Sequence, residues 1–253
     1  MNHTDIATLP HATGVDRAAG LAHRIPAAFI SLFRERRPAR VLISFAAAVF
    51  AGLAVTAVYS EGSLLGIDTA VQQTVIEGRA TWLDTSMIWL TFLGTRYAIG
   101  ALVFGLVLWS LVTGRAHRLT AVVVLAVVLN PVFEVGFKEI VDRARPDLAR
   151  LVQGNGPSFP SGHVLASVGF YGLVPLMAWE LTQRAWVRMS ALVGSLTVIG
   201  LVAFSRIYLD VHWTTDVVAG LLLGSVLLVA AYRAYDYRPR RLLAAAATRR
   251  PTA

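Results

Sequence analysis

Apolar residues gather in six runs along the chain, at 41–60, 97–114, 119–133, 164–179, 189–205 and 217–232, with short polar links between them. A helix needs about 20 predominantly apolar residues to cross the hydrocarbon core of a bilayer. The pattern therefore predicts an all-α integral membrane fold, a bundle of six transmembrane helices. Several runs fall short of a full span. The third reaches it only by taking in Glu134 and Lys138 at its end, and the last only by starting at His212 and Asp216. The predicted spans are 41–60, 92–114, 119–138, 163–180, 188–206 and 212–233, with polar clusters at helix ends near the membrane surface. The start of the second span stays open. Residues 83–95 are apolar too, and both a long tilted helix and an interfacial piece joined to a shorter span fit them.

Composition agrees with this reading. Hydrophobic residues make up 56% of the chain and charged residues 15%; the mean hydropathy is +0.61, outside the usual balance of a soluble domain. The chain has no cysteine, which excludes a disulfide framework and a thiolate metal site. The formal net charge is +8. Its basic residues lie mostly in loops and tails beside the spans, which points to anionic lipid headgroups as the partner rather than nucleic acid. Residues 1–39 read as a cytoplasmic polar and amphipathic segment. Within it, 1–24 is expected to be mobile, and 25–38, with Arg34, Arg36 and Arg37, can lie on the inner membrane surface. Residues 40–233 form the transmembrane domain and 234–253 a basic cytoplasmic tail. The first apolar run sits behind a long polar stretch, so it is expected to remain as an anchor rather than be cleaved as a signal peptide.

Orientation follows from the asymmetry of arginine among the short links. Arg34, Arg36, Arg37 and Arg40 precede the first span, Arg115 and Arg118 join the second and third, Arg184 and Arg188 the fourth and fifth, and Arg238, Arg240 and Arg241 follow the sixth. In a six-span chain these all fall on one side, expected to be the cytoplasm. That places both termini inside an inner (plasma) membrane. The 139–162 link, with Arg143, Arg145 and Arg150, then lies on the opposite side against the rule, so its basic content needs another reason. Parity supplies one. Lys138, His163, Arg206 and His212 all fall at the outer ends of their helices, so the polar clusters meet on the extracytoplasmic face.

These clusters carry chemistry suited to a phosphate. Lys138 is the only lysine in the chain, and an ammonium is a compact point charge where guanidinium is a flat fork. Alone, it reads as a snorkelling lysine paired with Glu134. Arg145 precedes Pro146, which biases the chain to leave the helix there, so Arg145 can fold back over a site; Arg143 and Arg150 fit ordinary surface arginines on a basic loop. Pro160-Ser161-Gly162-His163 opens a helix, whose free N–H groups favour an anion. Gly162 permits close approach, Ser161 adds a donor, and His163 beside a phosphate can act as a general acid. His212 and Asp216 share a helical face if the sixth helix has begun. The carboxylate can then fix one imidazole nitrogen and leave the other free to attack phosphorus. Ser205 and Arg206 close the fifth helix, and Arg206 can make a two-pronged contact with phosphoryl oxygens. Asp210 either binds a headgroup or faces water. Asn130 and Glu134 either support helix packing or orient Lys138. Arg96 reads as an interfacial anchor, and Trp179, Trp186 and Trp213 as members of an aromatic belt.

Written as strings, the clusters are K-x6-R-P, P-S-G-H and S-R-x5-H-x3-D, in that order. Together they resemble the signature of the type 2 phosphatidic acid phosphatase family, relatives of the vanadium haloperoxidases. The match spans roughly 130–222. The resemblance implies a helical core and a two-step displacement. His212 would be the nucleophile forming a phosphohistidine, Asp216 its orienting partner and His163 the acid for the leaving oxygen. Lys138, Arg145, Ser161, Gly162 and Arg206 would hold the phosphate oxygens. No acidic cluster suited to magnesium is visible, so no metal or other cofactor is expected. Val164 and Thr214 stand where many relatives have alanine and proline, positions that do not touch the implied chemistry. The implied activity is a lipid phosphatase, with polyprenyl diphosphate first and phosphatidic acid or phosphatidylglycerol phosphate as the alternative. Phosphate transfer to another acceptor uses the same phosphoenzyme. From a different class, a transporter and a non-catalytic lipid-binding protein are the alternatives; transport would place polar groups nearer the bilayer midplane, and loss of phosphate release in His212→Ala would exclude the non-catalytic reading.

Overall fold

The computed structural model describes residues 36–59 and 66–236. The expected surface segment at 25–38, most of the N-terminal region, part of the 61–84 link and the tail beyond 236 lie wholly or largely outside the described residues. Among those described there are nine helices and no strand. They are α1 (Arg36–Tyr59), α2 (Ile67–Glu77), α3 (Thr81–Phe92), α4 (Arg96–Thr113), α5 (His117–Val141), α6 (Gly162–Tyr171), α7 (Val174–Leu181), α8 (Ala185–Tyr208) and α9 (Thr214–Asp236). Six stretches are long and apolar enough to cross a membrane: α1 from Arg40, α4, α5, α6 with α7, α8 and α9.

The open question at the second span is answered by two helices. Thr95 breaks the run by capping α4, its side chain accepting from the Ala98 amide at 3.2 Å, as threonine does at a helix start. The span is thus the shorter piece, 96–113, and α3 is separate. The fourth span is also two helices. Its turn at Gly172 and Leu173 is followed by Pro175 in the first turn of α7, where a missing N–H costs no helical bond. Most other boundaries shift by one to a few residues from the sequence expectation. Helix α5 continues past Lys138 to Val141, α9 starts at Thr214 rather than at His212, and it runs three residues beyond 233.

Helix α6 is the axis of the bundle. Of the most apolar stretch of the α6–α7 span 61% is buried, against 11% for α4, which therefore faces outward. Close approach of α9 to α6 explains this. A Cβ at Gly220 would come within 2.8 Å of the Ser161 carbonyl oxygen, and one at Gly224 within 2.7 Å of Val168 Cβ, the small-residue contact by which membrane helices pack. Phe159, Leu165, Ala219 and Leu223 fill the core beside this seam together with Phe50 and Ala57 of α1.

The order of spans puts the 142–161 loop, the 209–213 turn, α2 and α3 at one end of the bundle, and the 114–116 and 182–184 links at the other. Helices α2 and α3 are fastened to their end. Gln72 Nε2 donates to the Ile207 carbonyl at 2.7 Å, and Arg79 donates to the carbonyls of Ala149 and Tyr208. The Tyr208 hydroxyl reaches Asp84 at 2.6 Å.

Candidate active site

His212 lies in the short turn between α8 and α9, 2% exposed. Its ring is held between opposite charges. Nδ1 faces Asp216 Oδ2 at 3.6 Å, longer than a hydrogen bond; Nε2 faces Arg145 Nη1 at 3.2 Å. An arginine has no acceptor to offer, so Nε2 is the unprotonated nitrogen and the proton sits on Nδ1, toward the carboxylate. Burial holds the His212 imidazole well below its ordinary 6.5, and Arg206, Arg145 and Lys138 push the same way. It is therefore neutral at pH 7, with an electron pair available on Nε2.

Asp216 occupies the first turn of α9 and is fully buried. Both of its oxygens accept: Oδ1 from Arg143 Nη1 at 2.5 Å and Oδ2 from the Trp213 amide at 2.9 Å. A carboxylate that only accepts is the ionised form. Arg143 is not a surface arginine; it is 2% exposed and bridges Asp216 to Asp68 Oδ2, 2.7 Å away. Asp210 does not face water either. Fully buried, with its backbone at φ 56°, it accepts at Oδ2 from the Leu148 and Ala149 amides at 2.8 and 2.7 Å and so staples the 142–161 loop to the 209–213 turn. Trp213 leaves the proposed aromatic belt. It is buried, donates from Nε1 to the Ala144 carbonyl and lies under the Arg143 guanidinium. Arg96 and Trp186 are exposed.

Arg145 stands just past α5. Its Nε donates to Gly156 O, Nη2 to Asn155 O and Pro157 O, and Nη1 to Val211 O, at 2.6 to 3.1 Å. With the His212 contact, every N–H direction is fixed, so the fork is pre-set against His212 Nε2. Lys138, one turn from the end of α5, pairs with Glu134 Oε1 at 2.6 Å. The same Lys138 is within electrostatic reach of both His163 and His212. Glu134 in turn packs on α6 so closely that a Cβ at Gly162 would overlap its carboxylate.

The start of α6 faces this cluster. Ser161 is its N-cap, yet its side chain makes no capping bond, and its buried hydroxyl has no hydrogen-bond partner. Arg206, in the last turns of α8, gives Nη1 to Thr91 Oγ1 at 2.6 Å, while its buried Nε has none. His163 follows Gly162 and is within electrostatic reach of Arg206, His212, Lys138 and Arg145. Two imidazoles, three cations, a free hydroxyl and the leading amides of a helix thus face one another across one small region. Such a set is chemically able to stabilise charge on phosphoryl oxygens. Among the described residues no group of three or more His, Asp or Glu converges in metal-binding fashion.

Three residues here escaped the sequence reading: Asp68 on α2, Thr91 on α3 and Arg143. Only Arg143 left a signal, as part of the basic link that broke the charge asymmetry. Asp68 and Thr91 lie far upstream, in segments with no distinguishing spacing.

The PAP2 superfamily model matches residues 119–240. The chain is similar to phosphatidylglycerophosphatase B of Bacillus subtilis, 31% identical over 193 residues, covering 69% of this chain and 85% of that one. It is also similar to an undecaprenyl-diphosphatase of Sulfolobus acidocaldarius, 41% identical over 68 residues that cover 27% of this chain and 29% of the relative. Among solved structures, the transmembrane PAP2-type phosphatidylglycerolphosphate phosphatase of Bacillus subtilis superposes with a TM-score of 0.67 at 25% identity, covering 78% of this chain and 98% of that one. Aquifex aeolicus LpxE shares the fold, with a TM-score of 0.53 at 19% identity over 65% and 94% of the two chains. Membrane-spanning, with this site at one end of its bundle, the chain belongs to the PAP2 superfamily and is a phosphatase of lipid phosphate esters.

Proposed function

We propose that the protein removes the terminal phosphate of a membrane lipid through a phosphohistidine on His212, without a metal, at the extracytoplasmic face. The observation that carries this reading is the 3.2 Å contact of Arg145 with His212 Nε2, which marks where a phosphoryl oxygen would take over the arginine's donor. His212 Nε2 attacks phosphorus, the N–P bond forms and the P–O bond to the lipid breaks. His163 gives its proton to the leaving oxygen. Water then attacks phosphorus, the N–P bond breaks and the proton returns to His163. Lys138, Arg145, Arg206, the Ser161 hydroxyl and the amide of Gly162 hold the oxygens, supplying the charge stabilisation that divalent ions give in other phosphoryl-transfer sites. Asp216 balances the positive charge that His212 acquires.

For the substrate, the alignment over 85% of phosphatidylglycerophosphatase B favours phosphatidylglycerol phosphate. This reverses the order expected from the sequence. Polyprenyl diphosphate is the second reading, supported by the shorter but more identical match to an undecaprenyl-diphosphatase.

The experiment is a panel of purified lipids, phosphatidylglycerol phosphate, phosphatidic acid and a polyprenyl diphosphate, assayed for phosphate release with a chelator present. Fastest turnover of phosphatidylglycerol phosphate is expected; a polyprenyl diphosphate preference selects the second reading, and loss of all turnover with chelator contradicts the metal-free step. With ³²P-labelled lipid, the wild-type chain should trap an acid-labile, base-stable phosphoenzyme. His212→Ala should trap none, with release lowered about a thousandfold or more.

A further inference from the structure

Behind His212, Asp216 is joined to two further buried charges, Arg143 and Asp68, that take no direct part in the reaction. Asp68 sits on the second residue of α2 and is fully buried. Its Oδ2 takes Arg143 Nη2 at 2.7 Å and Thr215 Oγ1 at 2.6 Å, and its Oδ1 takes the Thr215 amide at 2.9 Å. Thr215 is in the first turn of α9, so a carboxylate from α2 satisfies a leading amide of the helix that carries Asp216. Arg143 divides its guanidinium between the two acids, Nη2 to Asp68 and Nη1 to Asp216 and Thr215. The side chains of both ion pairs are wholly shielded from solvent.

We propose that Asp68 is a positioning residue for the phosphoryl transfer, acting through Arg143 so that Asp216 keeps its negative charge for His212. The reasoning is charge balance in a low-dielectric interior. Arg143 alone would neutralise Asp216. With Asp68 on its other side, the trio carries one net negative charge, and its nearest atom to the ring is Asp216 Oδ2, 3.6 Å from His212 Nδ1. Attack on phosphorus makes the imidazole cationic, and this negative charge stabilises it. Every other charged group near the ring opposes that: Lys138 on α5, Arg145 after it and Arg206 on α8. His163 on α6 adds no counter-charge, and Glu134 is paired with Lys138. Asp68 lies outside the 119–240 segment that the family model matches, which is why no motif marks it.

This proposal rests on His212 being the nucleophile, so the test keeps the two apart. The full chain in detergent is assayed with whichever panel lipid turns over fastest, measuring kcat, KM, the acid limb of kcat/KM and the trapped phosphoenzyme. Asp68→Asn removes the charge and keeps the shape. It should lower kcat about ten- to a hundredfold with little change in KM and move the acid limb down by about 0.5 to 1 pH unit, because His212 loses a stabilising negative charge. Asp68→Glu should hold the limb at its wild-type position even if activity drops. Asp68→Asn combined with Arg143→Gln, which removes both charges and leaves Asp216 unbalanced, should return the limb toward wild type. Thr215→Ala removes hydrogen bonds and no charge, so it should leave the limb unmoved. The substrate's own ionisation is common to all variants and cancels in the comparison. An unmoved limb in Asp68→Asn, with activity falling only in step with folded protein on gel filtration, overturns the proposal while phosphoenzyme in the wild type upholds the nucleophile. Absence of phosphoenzyme from the wild type removes both.

Discussion

At the scale of single residues, the two histidines differ in what surrounds them, and the differences are measurable. His212 is buried between Asp216 and Arg145 and prefers the neutral form. Its folded value lies below the 6.5 of an exposed imidazole, so the unfolded chain takes up the proton first on acidification. Its neutral burial therefore supports folding above about pH 6.5, and that support is lost as pH falls from there toward the lowered folded value. In detergent, the melting temperature should drop from pH 7 to pH 5, and His212→Gln should show a shallower drop than wild type; parallel curves would contradict the assignment. His163 is tested by the leaving group instead. An alkoxide leaving from a phosphomonoester needs a proton, whereas a lipid phosphate leaving from a diphosphate is already a stable anion. If His163 supplies that proton, His163→Ala should cost about 10²- to 10⁴-fold on phosphatidylglycerol phosphate and much less on a polyprenyl diphosphate. Equal losses on both would assign His163 to phosphate binding.

Helices bring these side chains together, and the α5–α6 contact is the most exacting of them. Asn130, Glu134 and Lys138 are four residues apart, so they form one stripe along α5. Glu134 meets α6 at Gly162, and Asn130 meets it at Gly169, where a Cβ would overlap the amide. The stripe thus does both things the sequence left open, packing against α6 and pairing with Lys138. Gly169→Ala inserts a methyl group into this contact without touching any group that meets phosphate. It should destabilise the protein by about 1–3 kcal/mol, as overpacking does, and lower kcat through a displaced α5. Asn130→Ala, which removes the opposing amide, should restore much of the loss in the double variant, read by thermal unfolding and turnover.

For the whole molecule, the question is which way the bundle faces. Parity puts the site, α2 and α3 at one end and the 114–116 and 182–184 links at the other, and the arginine asymmetry predicts that the second end faces the cytoplasm. The chain has no cysteine, so single cysteines report topology without background. In intact cells, a membrane-impermeant thiol reagent should label Gln153→Cys in the exposed part of the 142–161 loop. It should leave Gln183→Cys unlabelled until the cells are opened. The reverse pattern would place the site inside and change the pool of lipid it can reach.

Hydropathy and spacing alone determined the six spans and the three clusters, because bilayer thickness imposes a length on every apolar run and because the polar residues of each cluster lie close together between those runs. Local turn chemistry determined the break before α4 as well, although the pattern could not rank it against a continuous helix. The tertiary structure decided what each charge is for. Arg143, Arg145 and Arg150 are alike in the sequence of one polar loop, yet Arg143 is buried between two acids, Arg145 is locked against His212 Nε2, and Arg150 bonds to the Pro146 carbonyl and approaches Asp147. Asp68 lies 148 positions before Asp216, and no local pattern can pair residues so far apart. Their meeting depends on α2 closing over the end of the bundle, where an acid can be buried only because Arg143 and the first turn of α9 are there to receive it.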